Sequence, residues 1–246
     1  MDGLEWKRAK YSKPVQKFLR YAEKLAVKKS DFLIADSKEI QKYLFQKYNV
    51  KSTYIPYGAE LFENPDESII SEFNLKKYEY DMLIARFEPE NNFETILKPY
   101  YQKKTERKIL LIGNYKNKFG RYLIKNYNNE NIIYHGANYN VEELNNLRYF
   151  SNIYYHGHSV GGTNPSLLEA MASKALIIAH NNPFNKAILE NDAYYFESVE
   201  DILKYINIRK EEEKNKIENN YKKIIETYNW EKIIEKYKEF FGKKFL

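Results

Sequence analysis

The stretch HGHSVGGTNPSLLEAMA, residues 156–172, decides how this 246-residue chain is read. The sequence holds only nine glycines, and Gly157, Gly161 and Gly162 all fall here. Two adjacent glycines permit positive φ and close approach of the backbone to a ligand. Asn164 is a favoured N-cap, and Pro165 suits the first helical position. The stretch therefore reads as a strand end, a glycine turn and a helix. The amides of Ser166 and Leu167 are expected to be free at the helix start, where the dipole favours an anion. Thr163 adds a hydroxyl. Glu169 lies one turn further in, placed to accept hydrogen bonds from a diol such as a ribose. Phosphate at the turn and sugar at the glutamate describe a nucleotide. Spacing alone leaves a second reading, a well-capped core helix whose glutamate is solvated.

Outward from this stretch, short apolar strands alternate with amphipathic helices. YDMLIARF (80–87), RKILLIGNY (107–115), NIIYHGA (131–137), NIYYHG (152–157), ALIIAH (175–180) and AYYFES (193–198) read as strands. NFETILKPYY (92–101), GRYLIKNYN (120–128) and NVEELNNLRYF (140–150) read as helices between them. Repeated units of this kind predict a Rossmann-like, doubly wound parallel sheet with ligands beyond the carboxyl ends of the strands. Upstream, DFLIADS (31–37) and STYIPYG (52–58) read as strands flanking a helix capped by Ser37. The region before Gly58 is too short for a second α/β domain. RKEEEKNKIENNYKK (209–223) reads as a solvated helix face, and Trp230 as a packing anchor for a closing helix.

Composition narrows the function classes. Lys and Arg number 40 against 34 Asp and Glu, a net charge of +6 that suits an anionic partner or simply a solvated lysine-rich surface. With no cysteine and four scattered histidines, disulfides and thiolate metal sites are excluded and a zinc site is not expected. No signal peptide or apolar run of membrane-spanning length is present, so a cytoplasmic protein is expected, at most peripheral to the membrane's inner face. Lys and Tyr interleave near residues 42–51, but no nucleic-acid motif accompanies them, and no nucleic-acid partner is expected.

The block HGHSVGGTNPSLLEAMASKALIIAHNNPFN resembles the donor-binding segment of retaining glycosyltransferases of the GT-B fold, family 4, nearest a bacterial rhamnosyltransferase-like branch. DGLEWKRAKY, SDFLIADSKEIQKYLFQKYNVKSTYIPYGAE, LIARFEPENNFETIL and YNWEKIIEKYKEFF resemble other segments of that family, in the same order. The resemblance implies a domain plan: residues 1–58 as a remnant of the acceptor-side domain, 59–228 as the nucleotide-sugar domain, 229–246 as a closing helix. It implies transfer of a hexosyl or deoxyhexosyl group from a nucleotide-diphospho-sugar to a saccharide or lipid-linked acceptor in surface polysaccharide synthesis, without a metal or other cofactor. Glu169 matches the family's ribose-binding glutamate. Gly162, Thr163 and Asn164 match the loop facing diphosphate and sugar. Arg86 matches the diphosphate arginine, a permanent charge suited to bidentate phosphate binding.

Three departures matter. The family's first glutamate, eight residues before Glu169, is Gly161 here. The family's diphosphate lysine is Asn91. The strands that normally precede DGLEWKR are absent from this sequence, and Asp2 stands near the family's active-site histidine position. His156 and His158 are placed to meet donor sugar or acceptor, or to be structural. Trp6, Lys7 and Arg8 could line the cleft. Phe32, Ile34 and Tyr54 then need cover, so this segment is expected to pack on the second domain, to dimerise or to be mobile; a first domain supplied in trans, or self-association, is the expected partner. A non-catalytic nucleotide-sugar-binding module is the alternative to an enzyme.

Overall fold

The computed structural model describes residues 3–8 and 10–245; the reading of Asp2 lies outside them. After a short 3-10 turn, Glu5–Lys7, the N-terminal segment runs α1 (Lys13–Lys29), β1 (Ile34–Ala35), α2 (Lys38–Tyr48) and β2 (Thr53–Tyr54). β1 and β2 pair in parallel as a sheet of their own. The two long strands expected here thus shrink to two residues each. Ser37 caps α2 as read, its hydroxyl accepting from the Ile40 amide at 3.1 Å.

The second sheet carries the fold. Its elements are α3 (Glu67–Glu72), β3 (Tyr80–Ile84), α4 (Phe93–Tyr101), β4 (Lys108–Ile112), α5 (Lys118–Asn126), β5 (Ile132–Gly136), α6 (Val141–Phe150), β6 (Tyr154–His156), α7 (Pro165–Ala172), β7 (Ile177–His180), α8 (Pro183–Leu189), β8 (Tyr194–Phe196) and α9 (Val199–Tyr205). The six strands are all parallel, in the order β5-β4-β3-β6-β7-β8. Alternate residues of each strand face opposite sides. Met82, Leu110, Tyr154 and Ile177 join a core with Leu147 of α6 and Leu167, Leu168 and Met171 of α7. Leu83, Leu111, Tyr155 and Ile178 join the opposite core with Ile96 and Leu97 of α4. This is the doubly wound α/β sheet expected from the sequence.

The tail forms α10 (Lys214–Lys223), a π-helical turn (Ile224–Tyr228) and α11 (Trp230–Phe245). It is more than a solvated face. Lys210 is 5% exposed, with its ammonium on the Tyr149 carbonyl and against the Tyr78 and Tyr149 rings. α11 supplies part of the cover that the N-terminal segment needs. Ile233 and Phe240 bury Ile55, with Ile34 packed beside them, and the Phe32 ring meets Phe240 edge-on at 6.0 Å. Trp230 is half-exposed and lies over Gly58, where a Cβ would stand 2.8 Å from the indole.

Candidate functional site

In the six-stranded sheet, β3 is the strand from which the order reverses: the chain winds outward to β4 and β5, then returns to β6 on the other side. Loops leaving β3 and β6 therefore diverge and leave a crevice between them. A cleft of about 420 Å³ opens there, walled by the segments that follow β3, β4, β5, β6 and β7. From β3 come Ala85 and Arg86, from β4 Gly113 and Asn114, from β5 Asn138 and Tyr139, and from β7 Asn182 and Asn185. The glycine turn after β6 forms the facing wall.

The structure brings most of the expected residues together. Arg86, His156, His158, Gly161, Gly162, Thr163, Asn164 and Ser166 all line the cleft, and Arg8 reaches it from the N-terminal segment. Trp6 and Lys7 do not. The Trp6 indole donates to Glu23 at 2.9 Å and lies under the Arg20 guanidinium. Asn91 is buried beneath the cleft, its side-chain amide donating to the Arg86 carbonyl at 2.7 Å. Its own carbonyl leaves no room for a side chain at Gly157, where a Cβ would stand 2.1 Å away. Asn91 thus shapes the arginine's loop instead of replacing the lysine's charge.

The helix start differs from expectation in one respect. The Ser166 amide donates to Asn164 Oδ1 at 2.9 Å and the Leu167 amide to the Asn164 carbonyl at 3.0 Å, so neither is free for an anion. The N-cap that makes the helix start legible is the group that occupies them. Leu167 is fully buried in the core. Glu169, a turn further on, lies beyond the cleft wall and is held by Arg148.

Charge in the cleft is one-sided. Among the described lining residues there are two arginines, Arg8 and Arg86, and no Asp or Glu. Arg8 is shared with Glu5, whose carboxylate lies 2.6 Å from its Nε. The histidines add no charge at neutral pH. Burial, with Arg86 and Arg8 nearby, pushes His158 down to about 4. Burial beside His158 and His180 takes His156 well below the usual imidazole range. The two rings stack with centroids 4.5 Å apart. Among the described residues, both ring nitrogens of His156 and Nδ1 of His158 have no hydrogen-bond partner. The wall thus offers fixed positive charge for an anion, and the unpaired imidazole nitrogens are buried behind its surface.

Comparison with known proteins agrees with this geometry. Residues 66–227 match the family "Glycosyl transferases group 1". The chain belongs to that family. Residues 1–60 of this group 1 glycosyltransferase chain match a domain of unknown function, DUF1972. It is 29% identical to the uncharacterized glycosyltransferase MJ1069 of Methanocaldococcus jannaschii, over 89% of this chain and 60% of that protein. It is similar in structure to a sucrose-phosphate synthase from Thermosynechococcus elongatus (TM-score 0.81, 18% identity, 98% of this chain and 65% of that one). It is also similar to Anabaena HepE in complex with UDP and glucose (TM-score 0.77, 13% identity, 95% and 68%). The chain thus spans about three fifths of the curated relative's length and about two thirds of these structures. The structural likeness establishes a GT-B Rossmann-like domain.

Several cleft residues of this glycosyltransferase domain carry no local signal in the sequence. Asn114, Asn138, Tyr139, Asn182 and Asn185 enter only because their strands end at the same edge of the sheet. Tyr139 is 88% exposed at the rim, and an exposed aromatic at a ligand cleft would have been the cue. Among the described residues no helix is long and apolar enough to cross a membrane.

Proposed function

We propose that the cleft binds a nucleotide-diphospho-sugar and that the protein acts as the donor-binding part of a family 4 retaining glycosyltransferase. One observation carries this reading: an acid-free cleft with two arginines, at the point where the strand order reverses, facing a glycine turn and a capped helix start. Arg86, with Arg8 behind it, would take the diphosphate and stabilise it as the leaving group. Asn164 and Ser166 would contact the phosphates through side chains, and Glu169 would hold the ribose. His158 would face the sugar, with the fully buried His156 ring stacked against it. Among the described lining residues no carboxylate offers itself to a divalent cation, which supports a reading in which the arginines would carry the charge. Branch resemblance favours a deoxythymidine- or uridine-linked donor and a rhamnosyl-like group, passed to a saccharide or lipid-linked acceptor in surface polysaccharide synthesis, at the cytoplasmic side of a membrane.

The acceptor side points to a second reading, a donor-binding module completed by further polypeptide, covalently or in trans. On α1, Val15, Phe18 and Leu25 are exposed, and Phe32 ahead of β1 is exposed as well. Parallel strands are ordinarily covered on both faces, and the two-residue strands β1 and β2 form a very small sheet. Positioning an acceptor against the donor supplies about 7–11 kcal/mol of a transfer barrier. The purified chain is therefore expected to bind donor without transferring it at a useful rate.

A calorimetric screen across nucleoside diphosphates and their sugars, with and without EDTA, tests the donor reading. Binding of at least one of them, equal in EDTA, is expected. No binding at millimolar ligand rejects the reading. A transfer assay separates the two forms of it: robust transfer by the 246-residue chain alone rejects the need for a partner.

A further inference from the structure

The glycine turn does not stand by itself. Thr163, 2% exposed at its end, gives both of its donors to one distant residue. Its amide donates to Asp36 Oδ2 at 3.0 Å, and its hydroxyl donates to the Asp36 carbonyl. Asp36 follows β1 in the N-terminal segment, 127 residues earlier in the chain, and is itself 7% exposed. It does not line the cleft.

The same segment closes on the turn a second time. Gly3, at φ +78°, lies so near that a Cβ there would stand 3.0 Å from Gly161 Cα and 3.2 Å from the Gly162 nitrogen. A Cβ at Gly162 would stand 2.1 Å from Asp36 Oδ2. Gly161 has φ +150°, which side-chain-bearing residues rarely adopt. A glutamate at 161, as in the resembling family, would be strained by this backbone conformation, although a Cβ there meets nothing within 4 Å. The turn lies between Gly3 and Asp36, and its shape is set before any ligand arrives.

We propose that the N-terminal segment is a clamp on the ligand-facing glycine turn, with Asp36 as the positioning residue that fixes Gly162 and Thr163 in the cleft wall. This rests on the nucleotide reading of the cleft, which it deepens. A carboxylate accepting a buried amide is a charge-assisted bond and orients its donor tightly. With Thr163 fixed, Asn164 and Ser166 face the cleft in one arrangement, and less ordering remains to be done on binding.

The test uses the whole 246-residue chain, with uridine diphosphate as probe and the Thr163 amide followed by NMR hydrogen exchange. Asp36→Ala is expected to speed Thr163 exchange and weaken uridine diphosphate binding by roughly tenfold or more, with Met82 in the central strand still protected. Asp36→Asn keeps an oxygen acceptor and is expected to recover most of both losses. A folded Asp36→Ala with wild-type Thr163 exchange, or with wild-type affinity, overturns the clamp. Should Asp36→Ala fail to fold, Thr163→Val removes the hydroxyl bond while keeping the shape. Weakened binding there supports the clamp, and unchanged binding overturns it. Failure of the wild type to bind uridine diphosphate counts against the nucleotide reading instead, and Thr163 exchange still judges the clamp.

Discussion

The guanidinium of Arg148 is 2% exposed, and it reaches the carboxylate of Glu169, which is 45% exposed. Arg148 of α6 thus grips the outer face of α7, with Asn145 Oδ1 accepting from a second guanidinium nitrogen at 2.9 Å. At 45% exposure the Glu169 carboxylate stays open to solvent and to a ligand diol. Glu169→Ala is expected to weaken nucleoside diphosphate binding by about 1.5–3 kcal/mol, the range for a hydrogen bond to a charged group. It also strips Arg148 of its counter-charge, so some stability is lost with it. Glu169→Gln keeps an acceptor for Arg148 and separates the two effects. Unchanged affinity in a folded Glu169→Ala chain rules out the ribose role.

Arg86 stands exposed at the mouth, on a loop tied down by the amide of Asn91 at 2.7 Å. Its proposed partner is the diphosphate, so Arg86→Ala should hurt a nucleoside diphosphate far more than the bare nucleoside. Arg86→Lys should recover only part of the loss, because an ammonium lacks the planar fork of donors. Parallel titrations of the two ligands decide it; equal losses would make Arg86 structural.

What could be read in the sequence followed from local pattern. Strands buried on both faces are continuous apolar runs, and Met82 to Leu83, Ile109 to Ile112 and Ile177 to Ala179 read that way. The Asn164–Pro165 start of α7 was visible because an N-cap is a local signal. What stayed hidden depends on distant partners. Nothing near Thr163 announces Asp36, and nothing near Lys210 announces the carbonyl of Tyr149 that lets a lysine be buried. The amides of Ser166 and Leu167 differ from expectation for a related reason: the same cap residue that marks a helix start also consumes its donors.

The histidine pair gives the fold a pH dependence of known sign. Burial lowers His158 to about 4, against an unfolded value near 6.5, and takes His156 well below its ordinary value. Between those values the unfolded chain binds protons that the native chain refuses. Stability is therefore complete above about pH 6.5 and falls as the pH drops, with a slope of at most about 1.4 kcal/mol per unit for each histidine. Melting temperature measured from pH 7 to pH 5 should fall, and His156→Phe should flatten the curve. A wild-type curve that is flat across this range would mean that the imidazoles are not held neutral.

Tyr139 offers the sharpest test of which end of a nucleotide lies where. It follows β5 at the cleft rim, across from the glycine turn, and is 88% exposed. A large aromatic left that open gains nothing for folding, whereas a base stacked on it would be worth about 1–3 kcal/mol. Asn138, its neighbour in the wall, carries an amide, although that amide is engaged with Glu143 Oε2 at 2.7 Å in the free protein. Stacking is then the contribution to expect from this corner. Tyr139→Ala should weaken uridine diphosphate binding by that margin, leave inorganic pyrophosphate binding untouched, and barely move the melting temperature. Tyr139→Phe should bind as the wild type does, because the ring face and not the hydroxyl makes the contact. Equal weakening of pyrophosphate and uridine diphosphate would place Tyr139 on the phosphates instead, and no effect on either would remove it from the site.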